Sequence, residues 1–176
     1  MRSESSGASR RLVLTGAAAL ALAGCKPKPK AADPAAMPVK GGPQTIAEAV
    51  AGDWRLPADR ARDPWRHPVE TLTWWGLKPG MTVVEFWPGA GWYTDIIAPF
   101  LEATGGKLYE ADLEPSGPAA TQVIQAYAAK LAAKPKLYGK VGITAFGPTS
   151  GPVAPDGSAD LVLFLRNLHN WMAAGI

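Results

Sequence analysis

Glu85, Gly89 and Gly91 lie close together in the stretch Thr82-Val-Val-Glu-Phe-Trp-Pro-Gly-Ala-Gly-Trp-Tyr-Thr94. A carboxylate followed by spaced glycines suits ligand holding. Glycines let a bound molecule approach the backbone, and a following helix offers unpaired N–H groups. Asp112 comes about twenty residues later, the separation at which an acidic side chain can accept ribose hydroxyl hydrogens. The same carboxylate could instead cap the turn after its strand. Glu110 stands two residues early for the ribose role and Glu114 lies past the strand end. Further on, Arg166-Asn167-Leu168-His169-Asn170-Trp171 carries a histidine. A histidine titrates near neutrality and can serve as a general base; the alternative for His169 is a helix-cap or surface histidine. His67 and His169 are the only histidines, and no spacing of His, Cys, Asp and Glu suggests a metal site. No Gly-x-Ser-x-Gly run or nucleophile triad is present.

Two common glycine-turn chemistries are disfavoured. A dinucleotide fingerprint needs a third glycine, where Thr94 stands, and a P-loop needs Gly-Lys-Ser/Thr after the turn. An acidic strand end before a glycine-rich turn resembles motif I of the class I S-adenosylmethionine-dependent methyltransferases. The flanking runs Arg62-Asp-Pro-Trp-Arg-His-Pro68, Leu77-Lys-Pro-Gly-Met-Thr-Val-Val-Glu85 and Trp87-Pro-Gly-x-Gly-Trp-Tyr-Thr94 are similar to a bacterial branch of exported or lipoprotein methyltransferases. The resemblance covers roughly residues 60 to 172. It implies S-adenosylmethionine as the cofactor, held by Glu85, Trp87, Pro88, Gly89, Gly91, Tyr93, Asp112 and Leu113, with Asn167 and His169 on the catalytic side. Trp87 departs from the family pattern, standing where acidic-x-Gly-x-Gly-x-Gly has its first glycine. The family's acidic adenine contact after the third strand also has no counterpart. Phe146-Gly147-Pro148 stands there, with Phe146 able to pack on a ring or in the core.

These residues need a sheet to hold them. Thr82, Val83, Val84 and Phe86 are strand formers in a run too short for a helix. Ile96, Ile97, Phe100 and Leu101 then fall at helical spacing from Tyr93 to Glu102, with Pro99 expected to kink or shorten that helix. Lys107–Asp112 reads as a second strand and Val141–Phe146 as a third. Between them Ser116 and Pro118 open a helix with Val123, Tyr127 and Leu131 as its inward stripe, and Pro135 ends it. Gly, Pro and Ser then dominate until Leu161–Leu165, a continuous apolar run that predicts a strand buried on both faces. Upstream, Thr45–Ala51 predicts a short helix with Ile46 and Val50 inward. Pro57–Pro68 reads as a charged surface segment or as a flap over the cofactor. Pro68 starts a helix with Val69, Leu72 and Trp75 inward and Gly76 at its end. Trp74 and Trp75 are both expected in the core. The fold class is α/β, a Rossmann-like parallel sheet with helices on both faces. The resemblance adds the sheet order third, second, first, fourth, corresponding to the N-terminal part of the class I methyltransferase fold.

Before this domain, expected over 44–176, the sequence changes character. Residues 1–25 carry Arg2, Arg10 and Arg11, an apolar stretch from Leu12 to Ala23, and Leu22-Ala23-Gly24-Cys25, which resembles a bacterial lipobox. Cys25 is the single cysteine, so it implies lipidation and excludes an internal disulfide. The implied partner is a membrane, and the implied location is its periplasmic face in the cell envelope. Ser9-Arg10-Arg11-Leu12-Val13-Leu14 is similar to a twin-arginine signal, although paired arginines occur in ordinary export signals too. Residues 26–43, rich in Lys, Pro and Ala, read as a tether. The formal charge of +3 falls to +1 without Met1 to Gly24, which holds Arg2, Arg10, Arg11 and Glu4. With no basic patch interleaved with aromatics, nucleic acid is not an expected partner. The methyl acceptor is not specified by the sequence. A rival reading is a non-catalytic envelope lipoprotein that uses the fold as a binding module. Because the last apolar strand is followed only by residues 166–176, ending in Trp171-Met-Ala-Ala-Gly-Ile176, a further expectation is that the chain is a fragment and inactive by itself.

Overall fold

The computed structural model describes residues 41–174. The export signal, the lipobox cysteine and nearly all of the tether lie outside the described residues. The elements are α1 (Ile46–Val50), α2 (Pro57–Arg60), α3 (Asp63–Arg66), α4 (Pro68–Trp74), β1 (Thr82–Phe86), α5 (Thr94–Thr104), β2 (Lys107–Leu113), α6 (Pro118–Ala132), α7 (Pro135–Tyr138), β3 (Gly142–Phe146), β4 (Leu161–Phe164) and α8 (Leu168–Ala174). The four strands form one all-parallel sheet in the order β3-β2-β1-β4.

That order dictates where the helices go. The β1–β2 and β2–β3 connections step in the same direction, and right-handed crossovers place both on one face. Val83, Leu108 and Leu163 from that face pack with Ile96, Ile97, Phe100 and Leu101 of α5 and with Tyr127, Leu131 and Tyr138 beyond it. The helical cover is therefore uneven. On the other face the β3–β4 connection runs irregularly, its Val153 carbonyl accepting from Thr144 at 3.2 Å. Phe86, Phe146 and Phe164 there form an aromatic floor into which Trp171 of α8 inserts. This corrects the expectation for β4: Leu163 is buried, but Val162 and Phe164 are about half exposed. The apolar run has one covered face rather than two.

Three further expectations change. α5 runs to Thr104 through Pro99 without ending early. Proline cannot donate to the Asp95 carbonyl one turn back. The Trp54 indole N–H does so instead, at 2.8 Å. Val123 is exposed on α6, whose inner stripe reduces to Tyr127 and Leu131. Trp74 is 83% exposed, and only Trp75 packs against the core. Leu72 is fully buried, while Val69 is half-buried.

The segment expected to be a surface stretch or flap is pinned. Arg55 is buried and makes a bidentate pair with Asp63 at 2.7 and 2.8 Å. It also donates to the Val50 carbonyl at 2.7 Å. The Trp92 indole donates to the Asp59 carbonyl at 2.9 Å. These contacts fix α2 and α3 beside the turn that follows β1.

Candidate functional site

The strand order changes direction between β1 and β4, and in open α/β sheets ligands bind outside the strands' carboxyl ends beside such a point. Two adjoining cavities open there. The larger, about 540 Å³, is lined by Asp112 and Leu113 at the end of β2, by Ala120, Val123 and Ile124 of α6, and by Phe146-Gly147-Pro148 after β3. The smaller, about 320 Å³, lies over the glycine turn and is lined by Glu85, Pro88, Gly89, Tyr93, Arg62, Arg66, Arg166 and Asn167. Trp87 lines both.

The glycine turn is shaped by backbone requirements. Gly89 and Gly91 have φ of 62° and 79°, where side chains are disfavoured. Gly91 is also closed over: a Cβ there would sit 2.8 Å from the Tyr127 ring. Gly91 lines neither cavity, so its role is to let α6 pack on the turn. A Cβ at Gly89 would meet nothing within 4 Å. Trp87 has φ of 50°, the left-handed conformation for which glycine is better suited. Its ring lies nearly parallel to that of Trp171, at 6.4 Å. Thus position 87 has the backbone shape usual for a glycine while carrying an indole.

Beneath the turn lies a buried polar network. The Thr94 hydroxyl donates to Glu85 at 3.1 Å and is 2.9 Å from the Tyr127 hydroxyl, which can donate to it in turn. Glu85 pairs in register with Glu110 on β2, and both are almost completely buried. Two buried carboxylates side by side cannot both stay ionised. Burial pushes Glu85 up to about 7, and burial together with Glu85 raises Glu110 well above the carboxylate range. Neither Glu110 oxygen makes a hydrogen bond of ordinary geometry to the described residues, and its closeness to Glu85 makes a proton shared between the two carboxyls the available bridge. Nearby, buried Asp95 receives Lys130 at 2.9 Å and the Tyr138 hydroxyl at 2.8 Å. Lys130 also donates to the Ala90 carbonyl at 2.8 Å, tying the turn to α6.

The sequence-derived candidates separate by position. Glu85, Trp87, Pro88, Gly89, Tyr93, Asp112 and Leu113 all line one or both cavities. Asp112 is buried, and burial raises its carboxyl while the Leu113 N–H, 2.9 Å away, opposes that. Asn167 lines the smaller cavity but donates its amide to the carbonyls of Phe86 and Trp87 at 3.1 and 2.9 Å. It holds the end of β1 to the segment after β4. His169 is exposed and lines neither cavity. Sequence reasoning missed Arg62, Arg66 and Arg166 at the smaller cavity, and Val123 and Ile124 as wall of the larger one. Among the described residues no group of three or more His, Cys, Asp and Glu side chains could hold a metal ion. Compared with family models, curated proteins and solved structures, the chain matches none.

Proposed function

We propose that the domain binds S-adenosylmethionine and transfers its methyl group to an acceptor. One observation carries the reading: an apolar cavity with a carboxylate on its wall adjoins a polar cavity over a glycine turn, at the carboxyl ends of the strands. The residues fit the donor's parts. Val123, Ile124 and Phe146 offer apolar contact to an adenine ring, and Asp112 can accept from ribose hydroxyls. The turn at Pro88-Gly89-Ala90 leaves room for the methionine end. When bound, the sulfonium supplies an electrophilic methyl group. The chain's contribution is then mainly orientation of donor and acceptor. Asn167 serves by fixing the Phe86 and Trp87 carbonyls, and therefore the cavity rim. His169, exposed and away from both cavities, takes no part in the proposal. The finer assignment of the four-stranded sheet to the class I methyltransferase fold belongs to this reading.

In the same reading the protein works as a lipid-anchored envelope protein, on the strength of Leu22-Ala23-Gly24-Cys25. Intact-mass analysis of the membrane fraction tests that part: acylated Cys25 at the new N-terminus is expected, and Cys25→Ser should abolish it. Calorimetric titration with S-adenosylmethionine and with its demethylated product tests the cofactor. Saturable one-to-one binding of both is expected. No binding of either ligand by folded protein would reject the methyltransferase reading and favour the non-catalytic module.

A further inference from the structure

Three arginines, Arg62, Arg66 and Arg166, line the 320 Å³ cavity over the glycine turn. They arrive from opposite ends of the domain. Arg62 precedes α3 and Arg66 ends it, one helical turn apart, and Arg166 follows β4. The Arg66 guanidinium carbon lies over the Trp92 ring, 4.5 Å from its centroid, which tethers the group. Arg166 adopts φ of 65°, a strained conformation for a side chain of its size. Bringing like charges together is unfavourable, and burial with the nearness of Arg62 and Arg166 lowers the pKa of Arg66.

Among the described residues little neutralises this charge. Asp59 approaches Arg62 at 3.6 Å, with both side chains partly exposed. Among the described residues, Arg66 and Arg166 have no carboxylate within ion-pair distance. Glu85, the acid lining the cavity, is held largely protonated below about pH 7 by its burial. Asp63, on the same segment as Arg62 and Arg66, is already committed to Arg55. A concave site with one sign of charge concentrates the opposite sign. Planar guanidinium forks also match the paired oxygens of carboxylate and phosphate.

We propose that Arg62, Arg66 and Arg166 form a cradle for a carboxylate or phosphate group on the small molecule bound over the glycine turn. The inference rests on the methyl-transfer reading only for the identity of that molecule. The anionic group belongs either to the amino-acid end of the donor or to the acceptor.

The test uses inorganic phosphate as the anion probe and methylthioadenosine, which lacks the amino-acid end, as the probe of the apolar cavity. Phosphate should bind wild-type protein in a salt-sensitive manner. Arg166→Gln and Arg66→Gln should each weaken it about tenfold, as loss of one charge-assisted hydrogen bond does. Arg60→Gln, on the exposed side of α2 and outside both cavities, should leave it unchanged. Arg166 is exposed, so its variant should fold even if loss of the Trp92 contact destabilises Arg66→Gln. Comparing S-adenosylmethionine with its decarboxylated form then separates the sources. If the arginine variants weaken only the carboxylate-bearing form, the donor's carboxylate sits in the cradle. If they weaken phosphate binding and neither donor form, the acceptor's anion does. Absent phosphate binding, or binding unaltered in both arginine variants, overturns the cradle. Methylthioadenosine binding with no phosphate site would overturn the cradle alone. A phosphate site lost in the variants, without methylthioadenosine binding, would support the cradle and reject the methyl-transfer reading.

Discussion

Glu110→Gln should make the protein more stable at pH 8 than the wild type while changing little at pH 4. Glu85 and Glu110 are adjacent on paired strands and nearly inaccessible to water. Burial raises both, Glu85 from 4.5 to about 7 and Glu110 further. In the unfolded chain both return to ordinary values, so between pH 4.5 and 7 the folded state binds more protons than the unfolded one. Stability is full below about pH 4.5 and is lost as pH rises through the folded pKa. For Glu85 alone, a rise from 4.5 to about 7 corresponds to about 3 kcal/mol lost above pH 7. Glu110 extends the loss to higher pH. Glutamine at 110 mimics the protonated acid, provides an N–H donor toward Glu85 and removes the second charge. At pH 8 the variant should therefore gain roughly 2–3 kcal/mol over wild type. Urea unfolding from pH 4 to 8.5 provides the assay, with the variant-minus-wild-type difference read at each pH. A difference that is flat with pH, or that turns against the variant at pH 8, would refute the shared-proton account.

Three other outcomes follow from the geometry. Asp112→Ala should weaken S-adenosylmethionine binding by about 2–4 kcal/mol, from two charge-assisted hydrogen bonds discounted for non-additivity. Asp112→Asn keeps an acceptor for the Leu113 N–H, so a comparable loss there, read by calorimetry, separates ligand binding from turn capping. Gly91→Ala should destabilise more than Gly89→Ala, since only the former drives a Cβ to 2.8 Å from Tyr127 in addition to the positive-φ cost of about 1–2 kcal/mol that both bear. Equal melting temperatures would show that the turn yields. Trp54→Phe should cost about 1–3 kcal/mol by orphaning the Asp95 carbonyl, and Pro99→Ala should recover part of it by restoring a backbone donor. A double-mutant cycle with no coupling would refute that link.

The sequence by itself determined the strands, the glycine turn and the helix after it, because these depend on local properties. Apolar spacing marks a strand at Thr82–Phe86 and a helix over Tyr93–Glu102, observed as Thr94–Thr104, and Gly89 and Gly91 mark the turn between them. The order β3-β2-β1-β4 was legible from the resemblance of those segments. What depends on distant partners was not legible. Pro99 is harmless because an indole forty-odd residues upstream reaches the carbonyl it leaves bare. Val123 shares the four-residue spacing of Tyr127 and Leu131, yet lies where α6 passes beyond the sheet and becomes cavity wall. Periodicity identifies a helix face but not where the core stops. The apolar run of β4 gave no sign that the β3–β4 connection would leave one side partly open. Charge identity alone could not distinguish exposed Arg60 from Arg62, Arg66 and Arg166 at one cavity. Strand register and the Arg55–Asp63 clamp decided that, just as register decided that Glu85 would face Glu110. Local rules reach only a few residues along the chain, whereas cavities and shared protons are made by atoms that meet only after the sheet has closed.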